Sequence, residues 1–203
     1  MKTALSIAGT DPSGGAGLHA DLKTFTAHGV YGMGAVTALV AQNTRGVRLV
    51  ERASPAMLEA QLEAVFSDIP PDAVKIGMVS DWGSIDIVSK ALDRWRPPHV
   101  VLDTVMVSTS GHRLLDEGAA GALIRELLPL AEVITPNIPE AETLCGFEIR
   151  GKGDMERAAR KLAGLCPGAI LVKGGHLADS ADDLLFIGDR AEWIEGTRID
   201  TPN

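Results

Sequence analysis

The side chains of this chain that could do chemistry are few and lie far apart in sequence: the Gln42 carboxamide, the carboxylates Asp103 and Glu140, and the Lys173 ammonium. Each follows, within a few residues, a short apolar run that reads as a β-strand. The segments after those runs are Gly9-Thr10-Asp11, Gln42-Asn43, Gly77-Met78, Asp103-Thr104, Pro136-Asn137 and Lys173-Gly174-Gly175-His176. In open parallel sheets, ligands bind beyond the carboxyl ends of the strands, so these groups are expected to share one rim. Carboxylates at such a rim suit Mg²⁺, held directly or through water. The plain alternative for Glu140 is a solvated acid in the first turn of a helix after Pro139, where the helix dipole favours negative charge.

Other chemistries fit less well. Gly15-Ala16-Gly17-Leu18-His19-Ala20 matches the dinucleotide pattern G-x-G-x-x-A. That pattern wants an acid about twenty residues further on, yet no Asp or Glu occurs between Asp21 and Glu51. No Gly-Lys-Ser/Thr follows the glycines, which excludes a Walker loop. What remains is a glycine-lined turn before a helix, where backbone N–H groups can approach a small ligand closely. The histidines at 19, 28, 99, 112 and 176 lack zinc spacing, and Ser13 has no G-x-S-x-G setting. Cys145 and Cys166 cannot make a disulfide framework and read as packed thiols in a reducing cytosol.

The elements that position these groups alternate. Leu5–Ala8 reads as a buried strand, followed by a helix over 18–28 closed by Gly29. Ala35–Ala41 reads as a second strand. Ser54-Pro55 starts a helix, with a hydroxyl at the cap and proline at N1; Leu58, Leu62, Val65, Phe66 and Ile69 recur on one face. A strand over 73–77, a helix over 82–95, a strand over 100–102, and a helix capped by Asp116 and carrying Leu123, Ile124, Leu127 and Leu128 follow. Then come a strand over 132–135, a helix opened by Asp154 with Ala158, Ala159, Leu162 and Leu165 inward, and a strand over 170–172. Gly188-Asp189 joins 184–187 and 191–194 as an antiparallel hairpin. Strands alternating with amphipathic helices imply a mainly parallel sheet covered on both faces, in a single domain over 1–203.

Composition narrows the partners. A net charge of −8 and 4% aromatic residues argue against a nucleic-acid surface, which needs basic groups and stacking platforms. No apolar run reaches the length of a membrane span, and the short run Thr3–Ala8 is too brief for a signal segment. A cytoplasmic protein is expected.

Ala8-Gly9-Thr10-Asp11-Pro12-Ser13-Gly14-Gly15-Ala16-Gly17, Ala20-Asp21-Leu22-Lys23-Thr24-Phe25 and Ala38-Leu39-Val40-Ala41-Gln42-Asn43-Thr44 resemble the hydroxymethylpyrimidine/phosphomethylpyrimidine kinases of thiamine biosynthesis. Lys75-Ile76-Gly77-Met78, Leu102-Asp103-Thr104-Val105-Met106-Val107, Thr135-Pro136-Asn137-Ile138-Pro139-Glu140-Ala141-Glu142 and Val172-Lys173-Gly174-Gly175-His176 continue the likeness in order. It implies a ribokinase-like α/β fold, a three-layer αβα arrangement with a mainly parallel sheet and no separate lid domain, usually as a homodimer. It also implies phosphorylation of 4-amino-5-hydroxymethyl-2-methylpyrimidine, and then of its monophosphate, from ATP and Mg²⁺. By this likeness Gln42 hydrogen-bonds the aminopyrimidine, since a carboxamide offers a donor and an acceptor in one plane. Gly9, Asp21, Met78 and Val105 match further substrate-pocket positions. Asn137 and Glu140 match an N-x-x-E motif near metal and phosphate, Asp103 a metal-linked acid, and Lys173 a phosphate-neutralising group.

The family pattern continues past Thr201-Pro202-Asn203 into T-H-G-T-G-C, whose backbone amides form an anion hole and whose cysteine faces the substrate hydroxyl. The resemblance therefore puts the catalytic residues beyond Asn203, and the C-terminal portion of the domain with them. His112-Arg113 stand where Asp-Pro is common. The alternatives are a pyridoxal/pyridoxine kinase of the same fold and a catalytically silent pyrimidine-binding module.

Overall fold

The computed structural model describes residues 1–107, 114–177 and 181–198; His112-Arg113 and Thr201-Pro202-Asn203 lie outside them. The strands are β1 (Thr3–Ala8), β2 (Tyr31–Val36), β3 (Ala38–Asn43), β4 (Gly46–Arg52), β5 (Ala73–Ile76), β6 (His99–Leu102), β7 (Val133–Ile134), β8 (Ala169–Val172), β9 (Asp183–Ile187) and β10 (Arg190–Ile194). The α-helices are α1 (Gly17–Ala27), α2 (Pro55–Asp68), α3 (Trp82–Trp95), α4 (Ala119–Ala122), α5 (Ile138–Cys145) and α6 (Lys152–Ala163). An eight-stranded sheet runs in the order β10-β9-β8-β7-β6-β5-β1-β2. It is parallel from β8 to β2, and the β9–β10 hairpin closes one edge antiparallel, as the sequence predicts.

The registers align the strand exits. Ile7 lies opposite Ile76, Ile76 opposite Leu102, Leu102 opposite Ile134 and Ile134 opposite Ile170. The carboxyl ends of β1, β5, β6, β7 and β8 therefore finish on one line. The strand order reverses between β1 and β5, because β1 leads outward to β2 while β5 and its successors run the other way. Such a switch point opens a crevice between the exits of the two strands.

Burial alternates along the strands and shows how the helices are shared out. Val74, Ile76, Val100, Leu102, Ile134, Ile170 and Val172 are buried in one core with Leu58, Leu62, Phe66, Ile85, Val88, Leu92 and the apolar faces of α5 and α6. Full burial of each such side chain is worth about 1.5–3 kcal/mol. On the opposite face Ser6 and Lys75 meet Asp21 of α1, while Val101, Val133 and Leu171 are half-buried. Helices thus lie on both faces, unequally: α2, α3, α5 and α6 share the large core, and α1 lies over β1 and β2.

Three expectations need correction. The apolar run Ala35–Ala41 is not one strand. The chain breaks at Thr37, whose hydroxyl donates to the Met78 carbonyl at 2.6 Å, so β2 stays in the main sheet and β3 leaves it. β3 pairs with β4, for which the sequence assigns no element, as a separate two-stranded ribbon. Asp116 does not cap a helix; its carboxylate holds Arg52 at the end of β4. The helix starts later, after Gly118, and passes through a π-helical turn over Leu123–Leu127. Ile69 is the C-cap of α2 and stands 37% exposed, off the inward face. Ser54 does cap α2, accepting from the Met57 amide, with Pro55 at N1.

Candidate functional site

The charged half of the site grows from the exits of β6, β7 and β8. Asp103 follows β6, and its Oδ1 accepts from Lys173 Nζ at 3.1 Å and from Thr135 Oγ1 at 3.1 Å. Lys173 follows β8, and its amide donates to Pro136 O at 2.8 Å, zipping the two exits together. Asn137 caps α5 and forms a reciprocal box with Glu140: the Glu140 amide donates to Asn137 Oδ1 at 3.0 Å, and the Asn137 amide donates to Glu140 Oε2 at 2.9 Å. Thr104 Oγ1 also donates to Glu140 Oε2 at 3.2 Å. Asp103, Asn137, Glu140 and Lys173 are thereby brought together.

Glu140 is 5% exposed, so it is not the solvated first-turn acid of the plain alternative. Burial pushes its carboxyl above the ordinary value. The Asn137 amide, Lys173 and Thr104 oppose that rise, and the Asp103 charge adds to it. Two acids share this corner with one ammonium, so with both carboxylates ionised an additional cation would meet net negative charge. Among the described residues no group of three or more acidic, histidine or cysteine side chains gathers as a metal cage. That fits Mg²⁺, which is usually held by one or two carboxylates, waters and substrate phosphates.

The other half lies at the β1/β5 switch point. Gly9 leaves β1, and a Cβ built on it would stand 2.7 Å from Met78 Cε and 3.4 Å from Val40 Cγ2. A Cβ there fits only if the tip of Met78 moves aside. Met78 packs with Ala38 and Val40 of β3 as a small apolar cluster, with Val47, Val50 and Leu114 at its margin. The ribbon is tied over this cluster by Thr10, whose amide donates to Ala38 O and whose hydroxyl accepts from the Val40 amide, both at 2.9 Å. Gln42 is half-buried on β3 beside a register shift between Ala41 and Gln42, an irregularity of the kind that re-aims a side chain. Val105 is half-buried just past β6.

Asp21 stands lower. Its Oδ2 accepts from Ser6 Oγ at 2.6 Å and from Lys75 Nζ at 3.0 Å, inside β1 and β5 and beneath Gly77. Lys75 has no role in the sequence motif that contains it; its signal is a lysine at a strand position flanked by the buried Val74 and Ile76.

The glycine loop is already filled. The Asp11 carboxylate, 3% exposed, accepts from Ser13 N and Ser13 Oγ on Oδ1 and from Gly15 N and Ala16 N on Oδ2, at 2.7–3.0 Å. Gly17, at φ +55, brings the chain so close to Gly9 O that a Cβ there would overlap it. The amides that the sequence offers to a ligand before α1 are spent on Asp11. This loop is a wall, and the cluster of Asp103, Glu140 and Lys173 sits apart from it at the exits of β6–β8.

Comparison with known proteins places the chain. The sequence model described as phosphomethylpyrimidine kinase matches residues 11–203. The chain belongs to that family. It is 50% identical over 202 residues to a hydroxymethylpyrimidine/phosphomethylpyrimidine kinase of Rhizobium meliloti, covering 98% of this chain and 76% of the relative. Among solved structures, phosphomethylpyrimidine kinase from Clostridium difficile superposes with a TM-score of 0.90 at 47% identity, covering 96% of this chain and 84% of that one. An ADP complex of Bacillus subtilis pyridoxal kinase gives a TM-score of 0.91 at 40% identity, covering 100% and 78%. Membership in the phosphomethylpyrimidine kinase family makes the chain a phosphotransferase with a ribokinase-like fold, and no separate lid domain stands among the described residues. Among the described residues no helix is long and apolar enough to cross a membrane.

Proposed function

We propose that the protein phosphorylates the hydroxymethyl group of 4-amino-5-hydroxymethyl-2-methylpyrimidine from ATP and then its monophosphate to the pyrophosphate, in thiamine biosynthesis. The observation that carries this reading is one rim with two unlike halves. Gly9 and Met78 stand at the β1/β5 switch point, where a crevice is expected beyond the strand ends, and Gln42 lies on the ribbon packed over them. Asp103, Glu140, Asn137 and Lys173 stand roughly 10 Å along the rim, two or three strand spacings away, a span that a ring and its phosphates bridge. Gln42 holds the aminopyrimidine edge, Met78 and Val105 line the ring, and Asp21 supports the pocket from below through Lys75. Lys173 neutralises the ATP phosphates and the Asn137 side-chain Nδ2 helps to orient them.

Mg²⁺, near Asp103 and Glu140, would screen charge on the transferring phosphoryl group. Phosphoryl transfer asks for little else than positioning and charge stabilisation. The residues of this chain supply the positioning, and the base that takes the hydroxyl proton is assigned to none of them. The protein is proposed to work in the cytoplasm as a homodimer with no nucleic-acid or membrane partner. Exposed Leu39 and Leu49 on the outer face of the ribbon favour self-association, which sedimentation of the pure protein reads directly.

The test is ADP release by the gene product with the aminopyrimidine and pyridoxine in competition, repeated with Gln42→Ala. The aminopyrimidine is expected to be preferred, and Gln42→Ala to weaken its binding far more than that of ATP. Preference for pyridoxine, tight pyrimidine binding with no ADP formed, or equal loss of both ligands in the variant would each overturn the reading.

A further inference from the structure

We infer that Arg52 is a positioning residue that fixes the rotation of the β3–β4 ribbon about β3, and so sets where Gln42 presents its carboxamide. The inference rests on the reading of Gln42 as the partner of the ring. The bonds that Thr10 and Thr37 make fall on β3 or at its start: Thr10 holds Ala38 and Val40, while the Thr37 amide and hydroxyl donate to the Ala8 and Met78 carbonyls. Attachments along one strand resist its translation but not its rotation. Arg52 lies off that axis, at the end of β4 and opposite Ala38 in the antiparallel register. Its guanidinium grips both Asp116 oxygens, Nη1 to Oδ2 at 2.9 Å and Nη2 to Oδ1 at 2.5 Å. Nη1 also stands 3.6 Å from Asp81 Oδ2. A planar fork bonded in this two-pronged way fixes direction as well as distance.

Both acids are anchored in the frame. Asp81 caps α3, its Oδ1 accepting from the Ser84 amide at 2.8 Å. The Asp116 amide donates to Ser80 O at 2.8 Å, and the Leu114 and Leu115 amides donate to Met106 O at 2.9 and 3.2 Å. Leu114 lies at the margin of the apolar cluster of Ala38, Val40 and Met78. One guanidinium thus ties β4 to the segments that follow β5 and β6, and β6 is the strand that leads to Asp103. A carboxamide about 5 Å from the β3 axis, roughly one strand spacing, moves by about 2 Å for a turn of about 20°. That is enough to carry a hydrogen bond out of range. Arg52 therefore acts on the ring only through the ribbon it holds.

The experiment measures the calorimetric affinity for 4-amino-5-hydroxymethyl-2-methylpyrimidine in the wild type, Arg52→Met, Gln42→Ala and the double variant. Arg52→Met is expected to weaken binding by roughly 10-fold, because only a fraction of the molecules then holds the ribbon in the competent orientation, and to leave the KM for ATP unchanged. In the Gln42→Ala background the same substitution is expected to cost nothing further, since the ribbon then carries no carboxamide to aim. Arg94→Met is the control. It removes a comparable fork, from Arg94 to both oxygens of Glu63 at 2.6 and 3.3 Å, between α3 and α2, and is expected to leave the affinity unchanged. The Arg52–Asp116 pair is half-exposed and the ligand is uncharged near neutral pH, so about 1 M NaCl is expected to bring the wild type toward Arg52→Met and to leave that variant unmoved. Unchanged affinity in Arg52→Met, a full loss in the Gln42→Ala background, an equal loss in Arg94→Met, or one salt response common to wild type and Arg52→Met overturns the inference. Gln42→Ala separates the two levels: if it leaves the affinity unchanged, the reading of Gln42 fails and the inference with it; if it weakens binding while Arg52→Met does not, only the role of Arg52 fails. Should Arg52→Met not fold, salt titration of wild type and Gln42→Ala decides. A loss of affinity with salt in the wild type alone supports the inference, and equal responses refute it.

Discussion

Gly9→Ala tests the proposed ring pocket where Gly9 meets Met78. The new methyl would stand 2.7 Å from Met78 Cε and 3.4 Å from Val40 Cγ2, whereas carbon atoms rest at about 3.5–4.0 Å. The overlap with Met78 is therefore about 1 Å, and with Val40 it is negligible. Methionine is unbranched and adaptable, so its tip can swing aside. Overpacking of this kind costs about 1–3 kcal/mol. If the displaced thioether takes the place of the ring, the cost falls on the ligand, a loss of roughly 5- to 150-fold in affinity. The variant is expected to melt close to the wild type, to raise the dissociation constant of the aminopyrimidine within that range and to leave the KM for ATP unchanged. The double variant Gly9→Ala/Met78→Ala removes the clash and is expected to recover most of the affinity. Calorimetry with the aminopyrimidine, thermal unfolding and ATP titration together give the answer. Unchanged pyrimidine affinity, equal losses for both ligands, or no recovery in the double variant would refute the placement of the ring.

Two further perturbations address the rest of the rim. Glu140 has a folded-state pKa above its unfolded value, so the folded protein holds the proton more tightly and stability falls as pH rises from the unfolded value through the folded one. Glu140→Gln keeps an acceptor for the Asn137 amide and does not titrate; it is expected to melt higher than the wild type at pH 8, with the gap closing toward pH 4, and to need more Mg²⁺ for half-maximal rate. A gap independent of pH, or an unchanged Mg²⁺ profile, counts against the account of this acid. Thr37→Val removes the hydroxyl that satisfies the Met78 carbonyl inside the protein. Urea unfolding is expected to show a loss of about 1–3 kcal/mol, and a loss near zero would mean that the carbonyl finds another partner.

Much of the scaffold was legible because hydrophobic period and capping chemistry agree there. Ser54-Pro55 with Leu58, Leu62 and Phe66 marks α2 from local rules, and the hairpin around Gly188-Asp189 needs only alternation and a turn. The break at Thr37 was not legible. Ala35–Ala41 is uniformly apolar, and what divides it is a hydrogen bond to a carbonyl forty-one residues away. Asp116 shows the same limit: it has the chemistry of a cap, but Arg52 from the ribbon claims it. At the site, residue types gave the membership of the charged cluster, since Asp103, Glu140 and Lys173 all sit at strand exits. They did not give its polarity. The burial of Glu140 follows from the capping box and Thr104 together, and Asp11 filling the glycine turn is a tertiary outcome that the G-x-G-x-x-A pattern conceals.

The ribbon of β3 and β4 hangs from the sheet by a handful of bonds at Thr10 and Thr37, and none of its rungs belongs to the main ladder. Substitutions there can reshape the cover of the crevice while the frame that aligns the acids and the ammonium stays intact. Selection for a new ligand would then act on an appendage, leaving the charged frame at the strand exits to be inherited whole.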